Sequence, residues 1–336
     1  MSKSVEGHPL VAIVTPVYNG AAFLEKAMLS VQSQTYPNIV HIVLNNASTD
    51  GSAEIIEKFR DARVEVRVFE NETVLPLQQN WNKAFSKVPD DARYVKLACA
   101  DDLARPDAIA KMVALAETDE SIEVVLCDDV FDDKVRRSWL PRSKSVHDGK
   151  HVARRILEGT FGWFPFHHFF VRMHPEFRGE SFCGEVWAPD PYVVMRSAVR
   201  GRVGYVPEPL VYTRVHADSV TGKELKVSVR NYLVPFNLWK EFGSAVYGTD
   251  ERRVFPARYR RSMARMYLIM RLRKQGQQAK LLWDELYRAG ETLPLSTFAT
   301  MFARYPLHFL RKSLKDKPGR APMNESDFIG QTHKPA

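Results

Sequence analysis

Asp101 and Asp102 stand side by side at the end of the apolar run Tyr94-Val95-Lys96-Leu97-Ala98. Two adjacent carboxylates at a buried strand end repel each other, and a divalent cation removes that penalty. Mg²⁺ typically takes one or two carboxylates plus phosphate oxygens, and Mn²⁺ accepts the same hard oxygens. The same dipeptide also suits a helix N-cap. Asp190, before Pro191 and a helical stretch, is a second N-cap candidate. Asp50 is placed to cap a helix starting at Ser52. Arg214 and His216 alternate on an extended segment, so both face one way. Arg suits a diphosphate, and His216 can ligate a metal or touch a phosphate. His167-His168 has no acid or further His at metal-ligand spacing and reads as part of an aromatic core with Trp163, Phe164, Phe166, Phe169 and Phe170.

The elements that position these residues show in the hydrophobic pattern. Strands are expected at Leu10–Val14, Ile39–Leu44, Val64–Phe69, Tyr94–Ala98 and Ile122–Cys127. Helices are expected at Ala21–Gln34, Ser52–Arg60, Leu77–Ser86 and Asp107–Ala116. This alternation predicts an α/β fold with a mostly parallel sheet covered on both faces. Ligands of such sheets sit beyond the carboxyl ends of the strands. That rule points to Thr15–Asn19, Asn45–Asp50 and Ala100–Asp102. The stretch 131–222 is less regular. Lys226–Phe242, Pro256–Gln275 and Gln278–Ala289 read as helices, and the tail 315–336 is polar and expected to be disordered.

Taken in order, Thr15-Pro16-Val17-Tyr18-Asn19, Ser33-Gln34-Thr35-Tyr36-Pro37, Asn45–Ser52, Asn80-Trp81-Asn82-Lys83-Ala84 and Tyr94–Asp102 resemble the family 2 glycosyltransferases over about residues 9–220. The likeness is to the bacterial envelope-polysaccharide branch. It implies an inverting enzyme of the GT-A fold, with a catalytic domain over 1–222 and a helical region over 223–314. Within that domain it implies a nucleotide-sugar part over about 1–130 and an acceptor part over about 131–222. It also implies that Thr15, Pro16, Tyr18, Asn46, Asn82, Asp101 and Arg214 line the nucleotide-sugar. Asp102 and His216 would hold Mg²⁺ or Mn²⁺, and Asp190 would be the base, with Glu185 as runner-up. Trp163 and Trp187 are acceptor-site candidates. Three departures stand out. Asn45 and Asn46 replace acids, position 189 is Pro where Glu is usual, and Cys99-Ala100-Asp101-Asp102 lacks a leading Asp. Asn both donates and accepts, whereas an ionised Asp only accepts.

The 336 residues carry a formal charge of +8, which suits anionic partners without naming one. Three cysteines without a CxxC pair argue against a disulfide framework or structural zinc. No apolar run approaches the ~20 residues of a spanning helix. GxGxxG and P-loop motifs are missing. The expected partners are a nucleotide-diphospho-sugar and a saccharide or lipid-linked acceptor, with no nucleic acid. The expected place is the cytoplasm, peripheral to the inner face of the membrane. The aromatic face of Phe298, Met301, Phe302, Tyr305 and Phe309 suits either docking onto the catalytic domain or, with the basic run Arg252–Lys274, an encounter with anionic lipid there. Alternatives are an inactive sugar-nucleotide binder, or a basic protein that binds lipid or nucleic acid.

Overall fold

The computed structural model describes residues 7–131, 133–158, 169–179, 181–184, 188–216 and 229–304; for 252, 253 and 301–304 it describes the backbone. The described residues form two compact units, one of 7–153 and 169–215 and one of 154–158 and 216–304.

The first unit is built on one large sheet. Its strands β1 (Val11–Val17) and β2 (Ile39–Asn45) are buried at every position, as expected for strands covered on both faces. β1 pairs in parallel with β2 and with β4 (Tyr94–Leu97), and β3 (Glu65–Glu70) extends the sheet from β2. The connecting helices are α1 (Ala21–Gln32), α2 (Ser52–Glu57) and α3 (Leu77–Phe85). Beyond β4 come β5 (Leu103–Ala104), α4 (Ala108–Ala116), β6 (Ile122–Phe131), β7 (Lys134–Arg136), β8 (Val146–Asp148) and α5 (Gly149–Leu157). Then follow β9 (Phe169–Arg172), α6 (Pro189–Ala198) and β10 (Arg202–Thr213). The strand order is β3-β2-β1-β4-β9-β6-β10-β5, with β7 beside β6 and β8 beside β10.

Two features differ from the sequence expectation. β9 runs antiparallel between β4 and β6. Its four residues are all buried, so they continue the aromatic run without the alternation that marks a strand. Because β9 reverses, β4 and β6 point the same way, and β6 is parallel to β10. The carboxyl ends of β1, β2, β3, β4, β6 and β10 therefore share one edge. The second difference is Pro16, which was expected to end the first strand but lies inside β1. The Val14 carbonyl accepts from Ala98 N–H on the β4 side, where Pro16 also points its nitrogen. Register with β4 stops at Val14, so the missing N–H costs no ladder bond.

In the second unit, α7 (Val234–Val246), α8 (Thr249–Leu272), α9 (Gly276–Arg288) and α10 (Leu295–Arg304) follow a 3₁₀ turn over Val229–Leu233. Phe236 stacks on Tyr259 at 4.8 Å and Trp239 on Phe255 at 5.4 Å, joining α7 to α8. α8 starts seven residues before Pro256, where the sequence suggested a start. Gly248 as N-cap, with Asp250 and Glu251 in the first turn, supplies the earlier start signal. Phe298 of α10 meets Tyr267 of α8 edge-on. The expected tail and residues 305–309 lie outside the described residues. Among the described residues, no helix is long and apolar enough to cross a membrane.

One buried group makes stability depend on pH. His41 in β2 is fully buried, and its Nε2 shares a 2.8 Å hydrogen bond with Thr15 Oγ1. Burial pushes its pKa from 6.5 down to about 3. Between those values the unfolded chain binds the proton and the folded chain does not, so stability falls as pH drops. By pH ~5 this one group costs about 2 kcal/mol relative to neutral pH. His41→Gln keeps a polar partner for Thr15 and does not titrate. Its urea midpoint is expected to change less between pH ~7 and ~5 than that of the parent chain.

Candidate active site

The loops after β1 and β2 are laced together at the shared edge. Asn19 N–H donates to Ser48 Oγ at 3.0 Å, Thr49 N–H to Asn19 Oδ1 at 2.9 Å, and Gly20 N–H to Ser52 Oγ at 3.0 Å. Asp50 Oδ2 accepts from Ala21 N–H, the first residue of α1, at 2.9 Å. Its Oδ1 accepts from Ser52 N–H and Oγ–H at the start of α2. Gly51, not Asp50 as the sequence suggested, is the N-cap of α2, but the Asp50 carboxylate bonds to the first residue of each helix. Partial burial opposes its charge, but the bonds from Ser52 and Ala21 outweigh this and hold its pKa below the ordinary value.

The residues expected to face a nucleotide divide here. Tyr18 is 53% exposed and stands at the lip of the edge. Thr15 turns its side chain toward His41, and both Thr15 and Pro16 are buried within β1 beside β2. Asn46 is buried and fastens a loop. Its Oδ1 accepts from Leu75 N–H at 2.9 Å and Asn71 Nδ2–H at 2.7 Å, and its Nδ2 donates to Leu75 C=O at 2.9 Å. Both lone pairs are then used, and one amide hydrogen remains to offer a base. Asn71 also donates to Asn80 Oδ1, so a neutral amide ladder backs this part of the edge.

Asp101 and Asp102 follow β4 at the same edge. Asp102 is 8% exposed, and its Oδ1 accepts from Arg214 N–H at 3.0 Å. The Arg214 guanidinium donates to Asp101 C=O at 2.5 Å and covers the Phe23 ring at 5.0 Å. Burial and the Asp101 carboxylate push the Asp102 carboxyl well above its usual range, against the pull of Arg214 and the Cys99 thiol. Cys99 Sγ and a carboxylate oxygen from each of Asp101 and Asp102 lie within 4.8 Å of one another. A buried carboxylate whose charge is disfavoured until a cation offsets it, beside two more donors, fits a divalent ion. His216 is not in this group and falls in the second unit. Lys96, buried in β4, was not singled out from the sequence. Burial lowers its pKa, while Cys127, Cys99 and Asp102 act to keep it charged.

Asp190 lies half-buried in the first turn of α6. It is not the N-cap that the sequence suggested: Ala188 is, and Pro189 takes the first helical position. Proline's fixed φ and missing N–H suit that position, which puts Asp190 two places past the N-cap, at the second helical residue. Its carboxylate is close enough to help raise the thiol pKa of both Cys99 and Cys183, behind burial in each case. α3 holds the chain that leads into α6. Asn82 Oδ1 accepts from Cys183 N–H at 2.7 Å, and Asn82 Nδ2 and Gln78 Nε2 both donate to Gly184 C=O. Gly184 has φ +64°, and a Cβ there would sit 2.7 Å from the Tyr192 ring. Only glycine meets both demands. Asn82 therefore positions the approach to Asp190. Glu185, Trp163, Trp187, His167 and His168 lie outside the described residues.

A second acidic pair escaped the sequence reading. Asp128 and Asp129 in β6 are buried, and each is held by an arginine, Arg142 at 2.6 Å and Arg136 at 2.5 Å. Thr213 Oγ1 also donates to Asp129 at 3.0 Å, which fixes the strand end next to Arg214. The signal was visible as adjacent acids inside an apolar run.

Known proteins share this architecture. The description "Glycosyl transferase family 2" matches residues 12–183, just over half of the chain. EpsH of Bacillus subtilis is 25% identical over 228 residues, 65% of this chain and 64% of its own. Glycosyltransferase GlyG of Streptococcus pneumoniae is 30% identical over 102 residues, 30% of this chain and 33% of its own. The chain spans less than two thirds of the length of either relative. Among solved structures, S. aureus TarS 1-349 in complex with UDP-GlcNAc aligns with TM-score 0.53 at 14% identity, over 85% of this chain and 93% of that one. The mannosyltransferase PcManGT of Pyrobaculum calidifontis, in complex with GDP-Man and Mn²⁺, aligns with TM-score 0.53 at 18% identity, over 90% and 82%. The shared architecture is the GT-A fold, and on the match through β1, β4 and the Asp-Asp edge the chain belongs to glycosyl transferase family 2.

Proposed function

We propose that this protein is an inverting glycosyltransferase that moves a sugar from a nucleotide-diphospho-sugar to a hydroxyl of a saccharide or lipid-linked saccharide. The observation that carries this reading is the meeting of Asp101, Asp102 and Cys99 at the end of β4 with Asp190 at the start of α6. One group can hold a cation and a diphosphate, and the other can take a proton. The names of the two solved neighbours support a nucleotide-sugar donor.

Asp101 and Asp102, with Cys99 beside them, would hold Mg²⁺ or Mn²⁺. When bound, such an ion supplies Lewis-acid neutralisation of the diphosphate charge. Arg214 adds a fixed cation at the same edge, and Tyr18 offers a ring to the base or ribose. Asp190 accepts the proton of the acceptor hydroxyl as that oxygen attacks the anomeric carbon. The bond from that carbon to the phosphate oxygen breaks, and its electron pair leaves with the nucleoside diphosphate. Attack opposite the departing group inverts the anomeric configuration.

The turn between α8 and α9 supports an encounter with anionic membrane lipid on the cytoplasmic side. Arg271, Leu272, Arg273, Lys274, Lys280 and Leu281 are all exposed there. Lys274 holds a left-handed backbone, φ 58°, that glycine adopts more readily.

A screen of UDP-, GDP-, dTDP- and CMP-sugars with Mg²⁺ or Mn²⁺, read by nucleotide release and thermal shift, tests the function. One donor base is expected to stand out and to need the metal. Binding without base preference, lost steeply with salt, would mark a simple charge binder. Binding with base preference but no turnover on any acceptor would mark an inactive scaffold.

A further inference from the structure

We propose that Cys99 is itself a ligand of the metal and that its sulfur tilts the site toward Mn²⁺ and away from Mg²⁺. The inference rests on the metal-dependent reading above and names an additional donor for it.

Cys99 is a poor choice as a packing residue. Cys127 and Cys183 are buried and outside the acidic group, whereas Cys99 is partly exposed with its sulfur among carboxylate oxygens. The backbone holds it there. Asp102 N–H turns back onto Cys99 C=O, so the two side chains stay on one loop. Arg214 grips that loop through both Asp101 C=O and the Asp102 carboxylate. On the other side Ala100 lies against Gly20, where an added Cβ would stand 3.3 Å from the Ala100 Cβ. The loop has little room to swing the sulfur away.

The chemistry of the donor set then decides the ion. Mg²⁺ demands near-octahedral oxygen ligands and gains little from sulfur. Mn²⁺, and more strongly Co²⁺ and Zn²⁺, accept a thiolate beside carboxylates. The sulfur binds as thiolate, its proton passing to solvent as the metal–sulfur bond forms.

The test is anaerobic titration of the full chain with Co²⁺ alone, followed by absorbance and calorimetry. A near-ultraviolet sulfur-to-cobalt charge-transfer band is expected. It should vanish in Cys99→Ser and persist in Cys127→Ser and Cys183→Ser. Displacing Co²⁺ should take more Mg²⁺ than Mn²⁺, and Cys99→Ser should narrow that gap by about tenfold or more, the scale at which even outer-shell partners matter. Co²⁺ binding that depends on Asp102 but shows no band, or a band that survives Cys99→Ser, overturns sulfur ligation and leaves the metal-dependent reading standing. No Co²⁺ binding at all overturns both.

Discussion

Asp102→Asn is expected to abolish metal-dependent nucleotide binding and lower transfer by more than about a hundredfold, since several kcal/mol of charge stabilisation are lost. An amide cannot offset the charge of a divalent cation. The fold should tolerate the change. Asn Oδ1 can still accept from Arg214 N–H, as Asp102 does at 3.0 Å. The buried carboxyl also favours its neutral form when no cation is present. A neutral amide of the same shape therefore leaves the melting temperature of the metal-free protein unchanged or raises it. Nucleotide release with Mn²⁺ and with chelator, beside a thermal melt, reads both effects. Near-normal turnover of the variant in chelator would remove the metal from the mechanism.

Asp190→Asn is expected to bind the nucleotide-sugar and lose acceptor transfer by about 10²–10⁴-fold, the loss typical of a missing general base. The effect belongs in turnover rather than in donor affinity, because the role proposed for Asp190 is to take the acceptor's proton, not to hold the metal or the diphosphate. Glu185→Gln is the companion variant. If it carried the loss while Asp190→Asn stayed active, the base would be Glu185. Product analysis supplies a second check, since retained anomeric configuration would rule out a single displacement.

The nucleotide half of the fold was legible because its strands are short, β-branched and separated by helices at regular spacing. β1, β2, β4 and β6 each lie within a few residues of where the pattern places them. β9 was not legible, since burial on both faces erases alternation. The start of α8 was hidden by Pro256, which reads as a first-turn proline but sits in the helix interior. At the site, residue identity gave the carboxylates and Arg214, but not the direction of each side chain. Asn46 looked like a base reader because of its position after β2. That it spends most of its hydrogen-bonding capacity on Leu75 and Asn71 depends on a loop about 25 residues away, a contact no local pattern reports. Cys99 was legible only as a departure from a family pattern; its closeness to both carboxylates is a fact of three dimensions.

Asp50 has a mechanical consequence. One carboxylate receives the N-terminal amide of α1 and the first amide and hydroxyl of α2. Three further bonds tie residues 19, 20 and 49 across the same seam. The two loops are thus a single stiff plate rather than two flaps. A push on the Asn45–Ser52 turn is carried into Tyr18 and Gly20, and through the Gly20–Ala100 contact it reaches the loop of Asp101 and Asp102. On the proposed reading, the wall beside the base and the seat of the phosphates then shift together or stay still together, so a donor held at one end arrives already aligned at the other.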